Sequence, residues 1–497
     1  MSAARRLPAR RLVRWIGSLL AVAVAIGPAG CSLARRDRFE LEQVYGRSAR
    51  EHGPYQNPVV LIPGLTGSRL LDGETGQTVW GTFGGGYARP DREPGARLIS
   101  IPMALGRPLA QLSDTVRSDG VLEELKVKLL GLPLSLNAYF NILSALGAGG
   151  YRDEEVGLSG AVDWGEDHFT CFQFDFDWRR DNAENAARLA GFLEQKRDYV
   201  RAETLRRWGI ERDDIRFDVV SHSMGGLLLR YYLRHGDAQL GDDGQLPPVT
   251  WAGAELVERA ILVAPPNAGS LESLMQLTQG KDYGPSLPEY SAGLLGTFPS
   301  GYQMLPRSRH GAVVWADNGE SVDDLFDPAL WQRLEWGLAS PGAAELLSWL
   351  LPEQPSAEVR REIALDHQRK ALLRARRFIE ALDRPAQPPP TLLMYLVAGD
   401  AIRTNSRLEV DRQTGDVVVA ARAPGDGKVL RSSALMDERL AGEWTNRLRS
   451  PIVWSEVLLL FRDHLALTKD PTFTNNLLFW LLEAPRRSGW LRRLHLR

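Results

Sequence analysis

The chain has 497 residues, and 60 Lys and Arg against 62 Asp and Glu leave a formal net charge of −2, which argues against a nucleic-acid partner and leaves no strong steering field. A hydrophobic content of 44% is ordinary for a globular protein with a full core, and two cysteines are too few for a disulfide framework. Fourteen tryptophans favour a protein that meets apolar ligands or interfaces.

The first segment reads as a targeting signal. Arg5, Arg6, Arg10, Arg11 and Arg14 form a basic head, and the apolar run from Trp15 to Ile26 is too short, and too soon broken by Gly27 and Pro28, for an ordinary membrane span. Ala29-Gly30-Cys31-Ser32 resembles a bacterial lipoprotein cleavage box in which Cys31 becomes the lipidated first residue, although Pro28 departs from that box. The expectation is that residues 1–31 are an export signal and that Cys31 carries a lipid. The protein is then an exported bacterial envelope protein, held at the outer-membrane or periplasmic surface by that anchor, with plain secretion as the alternative. Cys171 has no partner under this reading. It lies in an aromatic, strand-like run and is expected to be a buried core residue.

Pro58-Val59-Val60-Leu61-Ile62 is an apolar strand that runs into the turn Pro63-Gly64-Leu65. From Trp80 to about Leu146 no clean periodicity survives, and Gly84-Gly85-Gly86 and several prolines interrupt it. This stretch reads as an insertion over a sheet, with Trp80, Phe83 and Tyr87 as lid or interface aromatics or, equally, as core. Strand alternation returns at Thr170–Arg180. Asp181-Asn182-Ala183-Glu184 is a capping box, and a helix should run from Asn182 to Trp208 with Leu189, Phe192, Leu193, Tyr199 and Leu205 on one face, stopped by Gly209.

Phe217-Asp218-Val219-Val220-Ser221-His222-Ser223-Met224-Gly225-Gly226 follows, a short apolar strand ending at a Ser in a tight turn, then a Leu-rich helix. A nucleophile elbow needs this strand, turn and helix, because the sharp turn lifts the Ser hydroxyl above the sheet edge and only small residues fit beside it. Ser221 stands where the usual G-x-S-x-G pattern has Gly. His222 is expected to point away from Ser223 and pack behind the elbow. Order strand, helix, strand makes this a parallel βαβ unit.

Arg259–Ala264 is another apolar strand, followed by a second long insertion from about Leu271 to Pro390 that holds a helix near Ala357–Leu382 and ends in a Pro-rich linker. Strands resume at Thr391–Asp400, a hairpin turns around Gln413-Thr414-Gly415, and Pro424-Gly425-Asp426-Gly427-Lys428-Val429 looks like an exposed turn carrying an Asp. Ile452–Leu460 is apolar and leads to Arg462-Asp463-His464.

In this kind of fold the catalytic groups follow in the order Ser, Asp or Glu, His. Two histidines lie after Asp426: His464 after a strand, where a base belongs, and His495 close to the end of the chain. Asp426 and Asp400, which also ends a strand, are rival acids. The Leu65 and Met224 amides are the candidate oxyanion donors, since backbone N–H groups are fixed before the charge forms.

These pieces together resemble the lecithin:cholesterol acyltransferase and lysosomal phospholipase A2 type of α/β-hydrolase. The matching residues are Leu61-Ile62-Pro63-Gly64 with Gly67-Ser68, Phe176-Asp177-Trp178-Arg179, Ser221-His222-Ser223-Met224-Gly225-Gly226, the Pro265–Ser270 turn, Phe298-Pro299-Ser300 with Leu305-Pro306, Gly425-Asp426-Gly427, and His464. The regions from Trp80 to Leu146 and from Gly311 to Leu382 show no match, and the lid disulfide of that family has no cysteines here. The resemblance implies an α/β-hydrolase domain over residues 57–497 with a mostly parallel central sheet and two cap insertions, at about 80–160 and 271–390. It favours Asp426 as the acid. It implies a serine acyl hydrolase or acyltransferase that uses Ser223, Asp426 and His464 on a lipid ester, foremost a phospholipid, with no metal and no cofactor. A generic secreted carboxylesterase or triacylglycerol lipase, and a non-catalytic envelope lipoprotein of the same fold, are the alternatives.

Overall fold

The computed structural model describes residues 40–83, 88–122, 124–129, 132–137, 139–157, 162–165, 167–241, 244–282, 288–442 and 444–485. The predicted signal with Cys31, the run Gly84-Gly85-Gly86, Tyr87, the side chain of Phe83, and His495 lie outside them. The chain divides into two compact units, Met1–Val44 and Tyr45–Arg497, and all that follows concerns the second.

Short β-branched runs build the centre. In chain order the strands are β1 (Val59–Ile62), β2 (Cys171–Gln173), β3 (Phe217–His222), β4 (Val257–Val263), β5 (Leu393–Gly399), the hairpin pair β6 (Ile402–Val410) and β7 (Val417–Gly425), and β8 (Glu456–Leu460). Six of these form one parallel sheet in the order β8-β5-β4-β3-β1-β2. Strands β1, β3, β4 and β5 are buried at every residue, which is why they read as continuous apolar runs rather than alternating ones. The charges they contain are paired: Arg259 Nη1 lies 3.1 Å from Asp218 Oδ2, and Asn57 Nδ2 donates to Asp218 Oδ1 at 3.2 Å.

The main helices are α1 (Phe140–Ala148), α2 (Asn182–Trp208), α3 (Met224–His235), α4 (Ala357–Asp383) and α5 (Pro471–Leu478). Helix α2 has its predicted bounds: the Asp181 carboxylate accepts from the Ala183 amide, and Gly209 closes the helix at φ 66. Glu184 does not complete the capping box; it accepts from Arg180 instead, at 3.3 Å. Leu189 and Leu193 are buried, but Leu205 is 53% exposed. The buried stripe continues to Thr204, four and seven residues being the helical repeat, so Leu205 is turned aside by one position. Helix α3 is buried all round because α4 covers its outer side. There Tyr231 stacks on Phe378 with centroids 5.4 Å apart, and Arg230 and His235 bond to the carbonyls of Leu382 and Ala381.

The segment between β1 and β2 holds an antiparallel patch of Ser68–Asp72, Thr78–Trp80 and Val116–Val121, then a paired hairpin, then α1. Trp80 is core, not lid. It is 4% exposed, lies edge-on to Trp178 and Tyr290, and donates from Nε1 to the Thr66 carbonyl at 2.8 Å. The strand expected over Thr170–Arg180 is regular only at Cys171–Gln173; beyond it the Phe176 amide donates to Ser68 Oγ at 3.0 Å, and the buried Arg179 folds back on Asp177 and on the Ile99 carbonyl. Cys171 is buried and free, as expected.

Candidate active site

Strand β3 sits at the middle of the sheet, and Ser223 follows it at φ 52 and ψ −124, immediately before α3. A non-glycine residue holds such a conformation only where its surroundings impose it. Close approach imposes it here. A Cβ on Gly225 would stand 2.2 Å from the Pro63 carbonyl oxygen, and one on Gly64 would stand 2.8 Å from Ser223 Cβ. Ser221 fits the conventional Gly position, fully buried.

Ser223 Oγ lies 3.0 Å from His464 Nε2, and His464 Nδ1 lies 2.8 Å from Asp426 Oδ2. The loop after β8 and the turn after β7 thus meet the elbow in one hydrogen-bonded line. The other Asp426 oxygen accepts from the amides of Lys428 and Val429 at 2.9 and 2.7 Å. Burial pushes the Asp426 carboxyl up, but the His464 charge and hydrogen bond, with those two amides, bring it below the usual carboxylate value. The turn is not the exposed one expected from Pro424–Val429: Asp426 is 2% exposed, covered where the turn folds over Gly399 and Thr404. Asp400, the rival, ends β5 with its amide on the Leu460 carbonyl, and the His464 ring faces Asp426.

The turn after β1 brings Leu65 beside the elbow. The Gly64 amide is taken, donating to Tyr139 Oη at 2.8 Å. Among the described residues no hydrogen-bond acceptor holds the Leu65 or Met224 amide. Met224 opens α3, where amides have no partner within the helix and the helix dipole favours negative charge. Trp80 clamps the same turn through the Thr66 carbonyl.

The model of the lecithin:cholesterol acyltransferase family matches residues 135–329, which contain β2, α2, the elbow and β4. Over that segment, less than half of the chain, this protein is similar to that family, and its fold is the α/β-hydrolase fold. The crystal structure of the Tle4–Tli4 complex contains a chain similar to this one, with a TM-score of 0.53 at 14% identity over 86% of this chain and 98% of that one. Lipase 1 from Pelosinus fermentans aligns at 11% identity over 86% of this chain and 99% of its own, with a TM-score of 0.31. Lipase BlEst2 from Bacillus licheniformis aligns at 12% identity over 87% and 94%, with a TM-score of 0.28. The first of these likenesses is one of fold. No curated protein matches the sequence.

Two side chains of this α/β-hydrolase touch the site without having been singled out for it. His222, expected to pack behind the elbow, has Nε2 3.2 Å from the His464 carbonyl, and the two rings are 4.7 Å apart. Tyr139 reaches His222 Nδ1 at 3.1 Å from the start of α1. It sits in the stretch without periodicity, and no sequence signal marks it.

Proposed function

We propose that this protein is a serine acyl hydrolase or acyltransferase acting on lipid esters, phospholipid foremost, through an acyl-enzyme. The observation that carries this reading is the hydrogen-bonded line from Ser223 through His464 to Asp426 at a strained strand-to-helix turn. His464 Nε2 takes the Ser223 proton as Oγ attacks the ester carbonyl, and later returns it to the leaving alcohol. Asp426 keeps Nδ1 protonated and stabilises the imidazolium. The Leu65 and Met224 amides receive the oxyanion. Water or a second alcohol, deprotonated by the same His464, then takes the acyl group from Ser223. The lipid class is supported by the family match and by Phe461 and Leu465, which flank the base in sequence and are 78% and 45% exposed.

The test combines a fluorophosphonate probe with two substrate classes. Wild type should be labelled and Ser223→Ala should not. Labelled phospholipid in vesicles should be turned over faster than a short-chain ester. Faster short-ester turnover would favour the plain carboxylesterase, and an unlabelled, inactive wild type would favour the binding lipoprotein. We also infer export with a lipid on Cys31, supported by the basic head, the short apolar run and Ala29-Gly30-Cys31. Among the described residues no helix is long and apolar enough to cross a membrane. A palmitate analogue fed to expressing cells should label wild type and not Cys31→Ser; unlabelled wild type cleaved elsewhere would indicate plain secretion.

A further inference from the structure

His464 is held at both of its peptide groups. Its N–H donates to the Asp426 carbonyl at 2.9 Å, and its carbonyl lies 3.2 Å from His222 Nε2. A carbonyl only accepts, so His222 Nε2 carries the proton. In the neutral ring Nδ1 is then an acceptor, and the Tyr139 hydroxyl donates to it across 3.1 Å. The same hydroxyl oxygen accepts from the Gly64 amide at 2.8 Å. The result is one continuous chain in which every hydrogen is used once: Gly64 N–H to Tyr139, Tyr139 O–H to His222, His222 N–H to the His464 carbonyl. Tyr139 and His222 are each 2% exposed, so no water substitutes for a lost link. Burial, reinforced by the neighbouring His464, lowers the His222 ring to about 3, which keeps it in the neutral form this chain requires.

The geometry points to Tyr139 and His222 as positioning residues that fix the Gly64–Leu65 turn and the His464 loop against each other across Ser223. The inference rests on Ser223 and His464 being nucleophile and base, as proposed above. Without the chain, the turn bearing the Leu65 amide and the loop bearing the base could drift independently, although both must meet the same tetrahedral centre. There is little slack for that, since a Cβ on Gly64 would already stand 2.8 Å from Ser223 Cβ. A misplacement near 1 Å costs on the order of a hundredfold in rate. The plainer view is that a phenol and an imidazole merely fill the space behind the elbow, in which case apolar rings of similar shape would serve as well.

The experiment measures kcat and KM on one chromogenic ester, the rate of fluorophosphonate labelling, and the melting temperature. The variants are Tyr139→Phe, His222→Phe, His222→Gln, His222→Asn and the Tyr139→Phe/His222→Phe double. Tyr139→Phe removes one oxygen and keeps the packing, so it decides the matter even if a His222 variant fails to fold. Its kcat and labelling rate should fall about tenfold or more, with KM within about threefold. Because the links act in series, the double variant should be no slower than the slower single one. His222→Gln, whose amide reaches the His464 carbonyl, should recover most of the rate, and His222→Asn, which ends at the Nδ1 position, should not. Wild-type kcat in Tyr139→Phe, or equal rates in Gln and Asn, would overturn the positioning role. Ser223→Ala separates the two levels: if it still turns over ester, the nucleophile assignment fails and this inference falls with it.

Discussion

Ser223 occupies φ 52 and ψ −124, a conformation that costs roughly 1–3 kcal/mol and is held by the packing of glycines against it. Gly225→Ala puts a methyl 2.2 Å from the Pro63 carbonyl, so this elbow should not close. The expected outcome is loss of fluorophosphonate labelling together with a melting temperature several degrees lower, and wild-type labelling would show that the turn has more room than its geometry allows. His464→Ala removes the proton acceptor, and Asp426→Asn favours the wrong imidazole tautomer; each should lower turnover by about a thousandfold or more. Asp400→Asn should stay within a few-fold of wild type, since the His464 ring faces Asp426. Turnover of the three purified variants on one ester, beside their melting curves, tests this. If Asp400→Asn is the inactive one, the acid has been misassigned.

Two helix caps that look alike in sequence should differ in weight. Asp327 caps the short helix Pro328–Arg333 at the surface, accepting from the Ala329 amide at 3.0 Å. Asp181 caps α2 but also pairs with Arg374 of α4 and accepts from Gln303 Nε2 at 2.7 Å, and it is 4% exposed. Removing a cap alone costs about 1 kcal/mol, whereas leaving a half-buried guanidinium without its carboxylate adds to about 3 kcal/mol or more. Urea unfolding of Asp327→Ala and Asp181→Ala should show that difference, with the midpoint moving much further for Asp181→Ala. Equal shifts would mean that the contact between α2 and α4 carries no load.

For the molecule as a whole, buried histidines set the response to acid. Burial lowers His222 to about 3 and His367 to about 4, from an ordinary value of 6.5. Between those values and 6.5 the unfolded chain binds protons that the folded protein does not, so lowering the pH favours unfolding. Asp366 and Glu438, each lowered to about 2, add losses of the same sign below their ordinary values of 3.8 and 4.5. The melting temperature should therefore fall steadily from pH 6.5 to 4. His367→Gln keeps a donor for the Thr297 carbonyl and removes one titrating group, so its melting temperature should fall less over the same range. A wild-type curve that is flat from pH 6.5 to 4 would contradict the neutral, buried state of these rings.

Local patterns alone determined the helix from Asn182 to Trp208, the buried strands and the Ser223 turn, because capping, periodicity and glycine punctuation act over a few residues. Chain order alone selected His464, since one of the two late histidines follows a strand and the other lies near the end of the chain. Position at a strand end does not separate Asp426 from Asp400; the Gly425-Asp426-Gly427 turn and the family resemblance favoured Asp426. What only the tertiary structure supplied is the hairpin β6–β7, whose pairing carries the turn back over Gly399 and buries the Asp426 carboxylate 2.8 Å from His464 Nδ1. Trp80 likewise read as lid or core with equal right until Trp178 and Tyr290 closed around it. Tyr139 was invisible because its role depends on a single hydroxyl meeting a histidine and an amide from two distant parts of the chain. Contacts of that kind follow from how the elements stack, and no spacing along the sequence encodes them.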